Sequence, residues 1–137
     1  MRDHIVIIGA GKFGSYLASK LSADGQDVVL IDKDEKSFKN VSDDFAGIEI
    51  NDDAFEASTL EEAEITKASQ VVIATESDNT NIFLASICDE LYHVKKIFVR
   101  QSNNDKDQLF KLTKLNVINP FDLSIKRYVE ITSEEKN

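Results

Sequence analysis

Gly9-Ala10-Gly11-Lys12-Phe13-Gly14 has the G-x-G-x-x-G spacing, the pattern by which a backbone turn makes room for a diphosphate. It follows the apolar run Ile5–Ile8 and opens a segment of helical period, the strand–turn–helix context such a loop needs. There Gly9 permits a tight turn, Gly11 keeps a Cβ out of the phosphate path, and Gly14 lets helix and strand pack closely. Lys12 and Phe13 fall at the helix start, where free N–H groups and the positive end of the helix dipole favour an anion. Asp32 ends the run Val29-Leu30-Ile31-Asp32, 18 residues beyond Gly14. An acid there accepts hydrogen bonds from ribose hydroxyls, which favours NAD, ATP, ADP or AMP over NADP. Aspartate also serves as a cap or turn residue at strand–helix junctions, and Lys33 beside it would tolerate a 2′-phosphate.

The elements that must position these residues alternate strand and helix. Ile5–Ile8, Val28–Ile31, Ile48–Ile50, Val71–Ala74, Ile97–Val99 and Val117–Ile118 are short β-branched runs, predicting six strands. Between them apolar residues recur at helical spacing: Phe13, Leu17 and Leu21; Leu84, Ile87, Cys88 and Leu91; Leu109 and Leu112. Continuous rather than alternating apolar strands predict a parallel sheet covered on both faces, the doubly wound α/β Rossmann architecture. Ser58 with Glu61 has the form of a capping box, and Asn119-Pro120 sets a capping residue before a first-turn proline. The latter opens a final helix over residues 120–131, with Phe121, Ile125, Tyr128 and Val129 on one face. That face either covers the sheet or packs on another subunit. Residues 1–131 read as one domain and 132–137 as a charged, frayed tail.

With 137 residues the chain is long enough to bury a core as one domain. Its 25 acidic and 16 basic residues give a net charge of −9, which disfavours nucleic acid as a partner. Cys88 is the one cysteine, so no internal disulfide forms, and its apolar neighbours make it a small buried residue. The first strand begins too near Met1 for a secretory signal, and no apolar stretch approaches the ~20 residues of a membrane span. A cytoplasmic protein is expected. His4 and His93 belong to no acid–base constellation and read as surface or packing residues. The acidic pairs Asp43-Asp44 and Asp52-Asp53 lack the further oxygen ligands of a metal site. A methyltransferase shares the glycine-rich loop and the acid after the second strand, but the wider glycine spacing suits a diphosphate better.

Four groups of residues carry a resemblance that covers nearly the whole chain: Ile8 to Gly14; Asp53-Ala54 with Leu60-Glu61-Glu62-Ala63 and Ile65; Ala74-Thr75 with Asp78 and Asn81; and Val99-Arg100 with Ile118-Asn119-Pro120. Through them residues 4–131 resemble the N-terminal RCK or KTN (TrkA-N) domain of potassium-transport regulators in Trk and Ktr systems. The resemblance implies that Asp53, Ala54, Ala74, Thr75 and Arg100 line the nucleotide pocket. Read from the residues alone, Thr75 could also close a strand, Asp78 cap a helix, and Arg100 pair with an acidic neighbour. The resemblance further implies a regulatory subunit that is not an enzyme. It would bind NAD(H) foremost, or ATP, ADP or AMP, and gate an integral-membrane potassium transporter or channel from the cytoplasmic face. Pairing through the last helix into a homodimer or a higher ring is implied as well. Asp52 and Glu64 stand where the family usually has glycine, and Lys12 where it commonly has arginine. The usual C-terminal ligand-binding module does not follow, which fits either a truncated piece or a free-standing sensor. The alternative reading is the cofactor domain of an NAD-dependent oxidoreductase, which shares the glycine loop and Asp32.

Overall fold

The computed structural model describes residues 2–103 and 115–135. The helix expected through Leu109 and Leu112 lies outside them. In chain order the elements are β1 (His4–Ile8), α1 (Lys12–Ala23), β2 (Asp27–Ile31), a 3-10 helix (Glu35–Asn40) and β3 (Ile48–Ile50). Then follow α2 (Ala57–Glu62), a 3-10 turn (Ile65–Lys67), β4 (Gln70–Ile73), α3 (Asp78–Glu90), β5 (Lys96–Arg100), β6 (Asn116–Ile118) and α4 (Pro120–Glu135). The six strands form one sheet in the order β3-β2-β1-β4-β5-β6, and every pairing is parallel. The chain starts in the middle of the sheet, winds to one edge, and returns to build the other half from β4 outward. This is the doubly wound Rossmann architecture.

The uninterrupted apolar strands are explained by burial on both faces. Ile5, Ile7, Val28 and Leu30 point toward α1 and the segment through Phe38, Val41 and Phe45. Val6, Ile8, Val29, Ile31, Val71 and Ile73 point toward α2 and α3, where Leu60, Ala63, Leu84, Ala85 and Cys88 complete the core. Fully burying one such side chain contributes roughly 1.5–3 kcal/mol, so these faces fix register as well as stability. Burial pushes the Cys88 thiol up to about 12, leaving it protonated and unreactive at neutral pH.

Several expectations are corrected. Helix α2 begins at Ala57 behind Glu56, with no side-chain cap, so Ser58 lies inside the first turn and the capping box with Glu61 does not form. Leu91 falls beyond the end of α3 and is 69% exposed. The 3-10 helix at Glu35–Asn40 was not foreseen. Helix α4 runs on to Glu135, four residues past the expected end, so most of the supposed frayed tail is helical. Its start is as expected: Asn119 Oδ1 accepts from the N–H groups of Phe121 at 3.0 Å and Asp122 at 3.2 Å. None of its residues is buried in this chain, so of the two roles weighed for its apolar face, covering the sheet is excluded.

The departure from glycine at Glu64 has a structural cost. Glu64 adopts the left-handed conformation (φ 55°) between α2 and the following turn, which costs an L-residue roughly 1–2 kcal/mol. Its ion pair with Lys67 at 3.5 Å joins two side chains more than half exposed and offsets little of this. Glu64→Gly is therefore expected to stabilise the fold by about 1 kcal/mol, read as a higher urea midpoint. An unchanged or lower midpoint would refute the strain.

A nucleotide-shaped cleft at the carboxyl ends of the strands

The glycine loop is built by close approach of backbones. Gly9 has φ 109°, and a Cβ there would lie 2.6 Å from the Ala74 carbonyl carbon and oxygen. Only glycine combines that conformation with that contact. A Cβ on Gly14 would lie 1.8 Å from the Gly9 carbonyl oxygen, so Gly14 lets α1 rise directly behind the loop. Gly11, the N-cap of α1, has an ordinary backbone conformation (φ −67°), and a Cβ there would meet nothing within 4 Å. Its open side faces the cleft rather than the fold, at the helix end where unpaired N–H groups favour anions.

Asp32 is both a turn residue and a candidate ligand group. Oδ2 accepts from the Ala10 N–H and Oδ1 from the Asp34 N–H, each at 2.8 Å. The carboxylate thereby pins the glycine loop against the end of β2. Each oxygen keeps a further acceptor site, which a ribose hydroxyl could fill.

On the other half of the cleft, Asn81 from α3 is the organising residue. Wholly buried, its Oδ1 accepts from the Thr75 N–H at 3.1 Å and from the Thr75 hydroxyl. Its Nδ2 donates to the carbonyls of Thr75 at 3.0 Å and Arg100 at 2.9 Å. One amide thus clamps the ends of β4 and β5 together. Asp78 does not cap α3, a role taken by Ser77. Its carboxylate instead accepts from the N–H groups of Ser102 and Asn103 at 3.0 Å and holds the segment after β5.

These loops enclose a cleft of about 900 Å³ at the carboxyl ends of the strands, the position where open α/β sheets bind ligands. Gly9, Gly11, Lys12, Phe13, Asp32, Lys33, Asp53, Ala54, Ala74, Thr75 and Arg100 all line it, and Gly14 alone of the expected site residues lies behind it. Among the described residues Arg100 makes no ion pair of the kind considered from sequence, and its Nε is buried without a hydrogen-bond partner. The Arg100 side chain lines the cleft as a fixed positive charge, and together with the open space at Gly11 it suits an anionic or carbonyl-bearing ligand.

Sequence reading missed Lys36, Lys39 and Asn40, which also line the cleft. Lys36 and Lys39 stand three residues apart, the period that aligns side chains along a 3-10 helix, and with Lys33 just ahead of it that spacing was the available signal. His4 Nε2 lies 2.8 Å from the Ala63 carbonyl, and His93 takes the left-handed turn (φ 53°) that ends α3. Both histidines are structural and stand outside the cleft. Among the described residues no three His, Cys, Asp or Glu side chains come together as metal ligands, and no helix is long and apolar enough to cross a membrane.

The family model of the TrkA-N domain matches residues 5–120. The Trk system potassium uptake protein TrkA of Streptomyces coelicolor is 36% identical over 97 residues, covering 71% of this chain and 44% of that protein. A TrkA homolog of Methanothermobacter thermautotrophicus is 36% identical over 118 residues, covering 85% and 54%. The chain therefore spans about half the length of these curated relatives. Among solved structures, the GsuK channel bound to NAD superposes with a TM-score of 0.78 at 28% identity, over 96% of this chain and 23% of that one. GsuK bound to ADP gives 0.76 at 28%, over 96% and 34%.

Proposed function

Because this chain belongs to the TrkA-N domain family, we propose that it is a nucleotide-sensing regulatory domain of a potassium-transport system. The ligand is an adenine nucleotide, NAD(H) foremost and ADP, ATP or AMP as alternatives. The observation that carries this reading is that the cationic Arg100 and the acidic Asp32 line one cleft from opposite halves of the sheet, with the open Gly11 between them. A ligand touching both must run from the end of β2 to the end of β5, three strand spacings or about 14 Å, passing the open Gly11 on the way. An adenosine diphosphate with a further group attached suits that path. Ribose hydroxyls meet Asp32, the diphosphate meets the N-terminus of α1, and the far end meets Arg100.

A sensing role, rather than turnover, is supported by membership of the TrkA-N family and by the structural use of both histidines, which stand outside the cleft. Sensing requires two arrangements with different affinity for the ligand. Helix α4 offers the means: Phe121, Ile125, Tyr128 and Val129 are each more than half exposed, an apolar stripe suited to an isologous contact with a second copy. Residues 1–131, with the remainder of α4, would then act as one domain that passes nucleotide occupancy to a membrane transporter or channel from its cytoplasmic face.

The test combines light scattering with an assay for nucleotide consumption. Saturating NADH is expected to change the association state or hydrodynamic radius while the NADH remains unconsumed. Steady oxidation of NADH by any supplied carbonyl substrate would instead favour the oxidoreductase reading.

A further inference from the structure

We propose that Phe55 is the base-recognition residue of the cleft, its phenyl ring forming a platform on which a purine stacks, with Phe83 as its buttress. The proposal rests on the nucleotide reading and specifies which part of the ligand is selected, and by what.

Phe55 lines the cleft and remains 47% exposed, an unfavourable state for a large apolar side chain unless something covers it. It is nonetheless held in place. Asp53 Oδ1 accepts from the Phe55 N–H at 2.9 Å, and the Asp53 carbonyl accepts from the Glu56 N–H at 3.1 Å. The preceding residue, Ala54, is buried in the core below. The Phe83 ring on α3 meets the Phe55 ring edge-on, with centroids 6.1 Å apart and planes at 69°. An exposed aromatic ring carried by a hydrogen-bonded turn beside a buried neighbour, and touching a second ring that is itself 64% exposed, presents a surface to a flat partner.

Its place along the cleft agrees with the chemistry of a nucleotide. With the phosphates at α1 behind β1 and the ribose at Asp32 on β2, the base lies one strand further out, about 4.8 Å away, above β3. The loop after β3 carries Phe55. That loop is tied to the ribose anchor, since Asn51 Nδ2 donates to the Asp32 carbonyl at 3.0 Å and the Asp32 N–H to the Ile50 carbonyl at 3.1 Å. Asp53 has its Oδ1 committed to the turn, so it serves the base by positioning Phe55.

The experiment titrates ADP and its fluorescent etheno derivative into the wild type, Phe55→Ala, Phe55→Leu and Phe55→Tyr. Stacking should quench the etheno base in the wild type and in Phe55→Tyr. Phe55→Ala is expected to weaken ADP binding about tenfold, the scale of one base–aromatic stack, and to abolish the quenching. Inhibition of ADP binding by pyrophosphate, which has no base, should keep the same constant. Phe55→Leu retains apolar bulk against Phe83 but has no π face, and should keep its thermal midpoint while losing the quenching. Unaltered ADP affinity and quenching in Phe55→Ala, in a protein whose ADP binding is lost in Gly11→Val, would overturn the platform and leave the nucleotide reading intact. No ADP binding by the wild type would overturn both.

Discussion

Gly11→Val should yield a protein that melts within a few degrees of the wild type yet binds adenine nucleotide at least 100-fold more weakly. The expectation follows from two facts about the loop. The Gly11 backbone is in a conformation open to any residue, and a Cβ there meets no atom of the protein within 4 Å. A branched side chain therefore costs the fold little, but it occupies the space through which a diphosphate must reach the α1 N–H groups. Gly14→Ala is the control with opposite sign. Its Cβ would fall 1.8 Å from the Gly9 carbonyl oxygen, and since the obstacle is backbone, the loss should be at least about 3 kcal/mol. If Gly11→Val retained full affinity, the diphosphate would not lie across the loop. If Gly14→Ala were neutral, the close packing of α1 on the loop would be wrong.

Asn81→Leu should be among the most damaging substitutions that keep a side chain's branched heavy-atom outline. It removes the acceptor for the Thr75 N–H and the donor to the Thr75 and Arg100 carbonyls. Each group left unpaired in the interior costs ~1–3 kcal/mol, so a total of about 3–5 kcal/mol is expected, read from the urea midpoint. Asn81→Asp should do similar harm, because it preserves the acceptor but turns an oxygen toward two carbonyl oxygens. A loss below about 1 kcal/mol in Asn81→Leu would mean that the ends of β4 and β5 are held by other means.

The parts of this fold that were legible in sequence are those with a local cause. Continuous β-branched runs announce buried parallel strands because both faces of the sheet demand apolar side chains. Asn119-Pro120 announces a helix start because cap and proline act within one turn. The glycine spacing was legible for the same reason. What escaped depends on contacts distant in sequence or on signals too short to be periodic. Ser58 and Glu61 had the right spacing for a cap, but the turn Asp53–Glu56 starts α2 earlier and puts Ser58 inside it. The 3-10 helix at Glu35–Asn40 spans only two turns, too few for an amphipathic pattern. Helix α4 was cut short because residues 132–135 carry no apolar stripe, although the Thr132 hydroxyl donates to the carbonyls of Tyr128 at 3.1 Å and Val129 at 3.0 Å. Within the cleft, Thr75, Asn81 and Arg100 were each singled out, but not the amide that joins them. The surplus of acids pointed to an ion pair for Arg100 that does not form among the described residues.

Calorimetric titration of the wild-type protein with NADH, NAD, ATP, ADP and AMP, beside Gly11→Val and Arg100→Ala, decides whether the cleft binds an adenine nucleotide at all. Saturable one-to-one binding is expected, abolished by Gly11→Val and weakened by Arg100→Ala most for the ligand that spans the cleft. Failure of every nucleotide to bind, or binding indifferent to both substitutions, would contradict it.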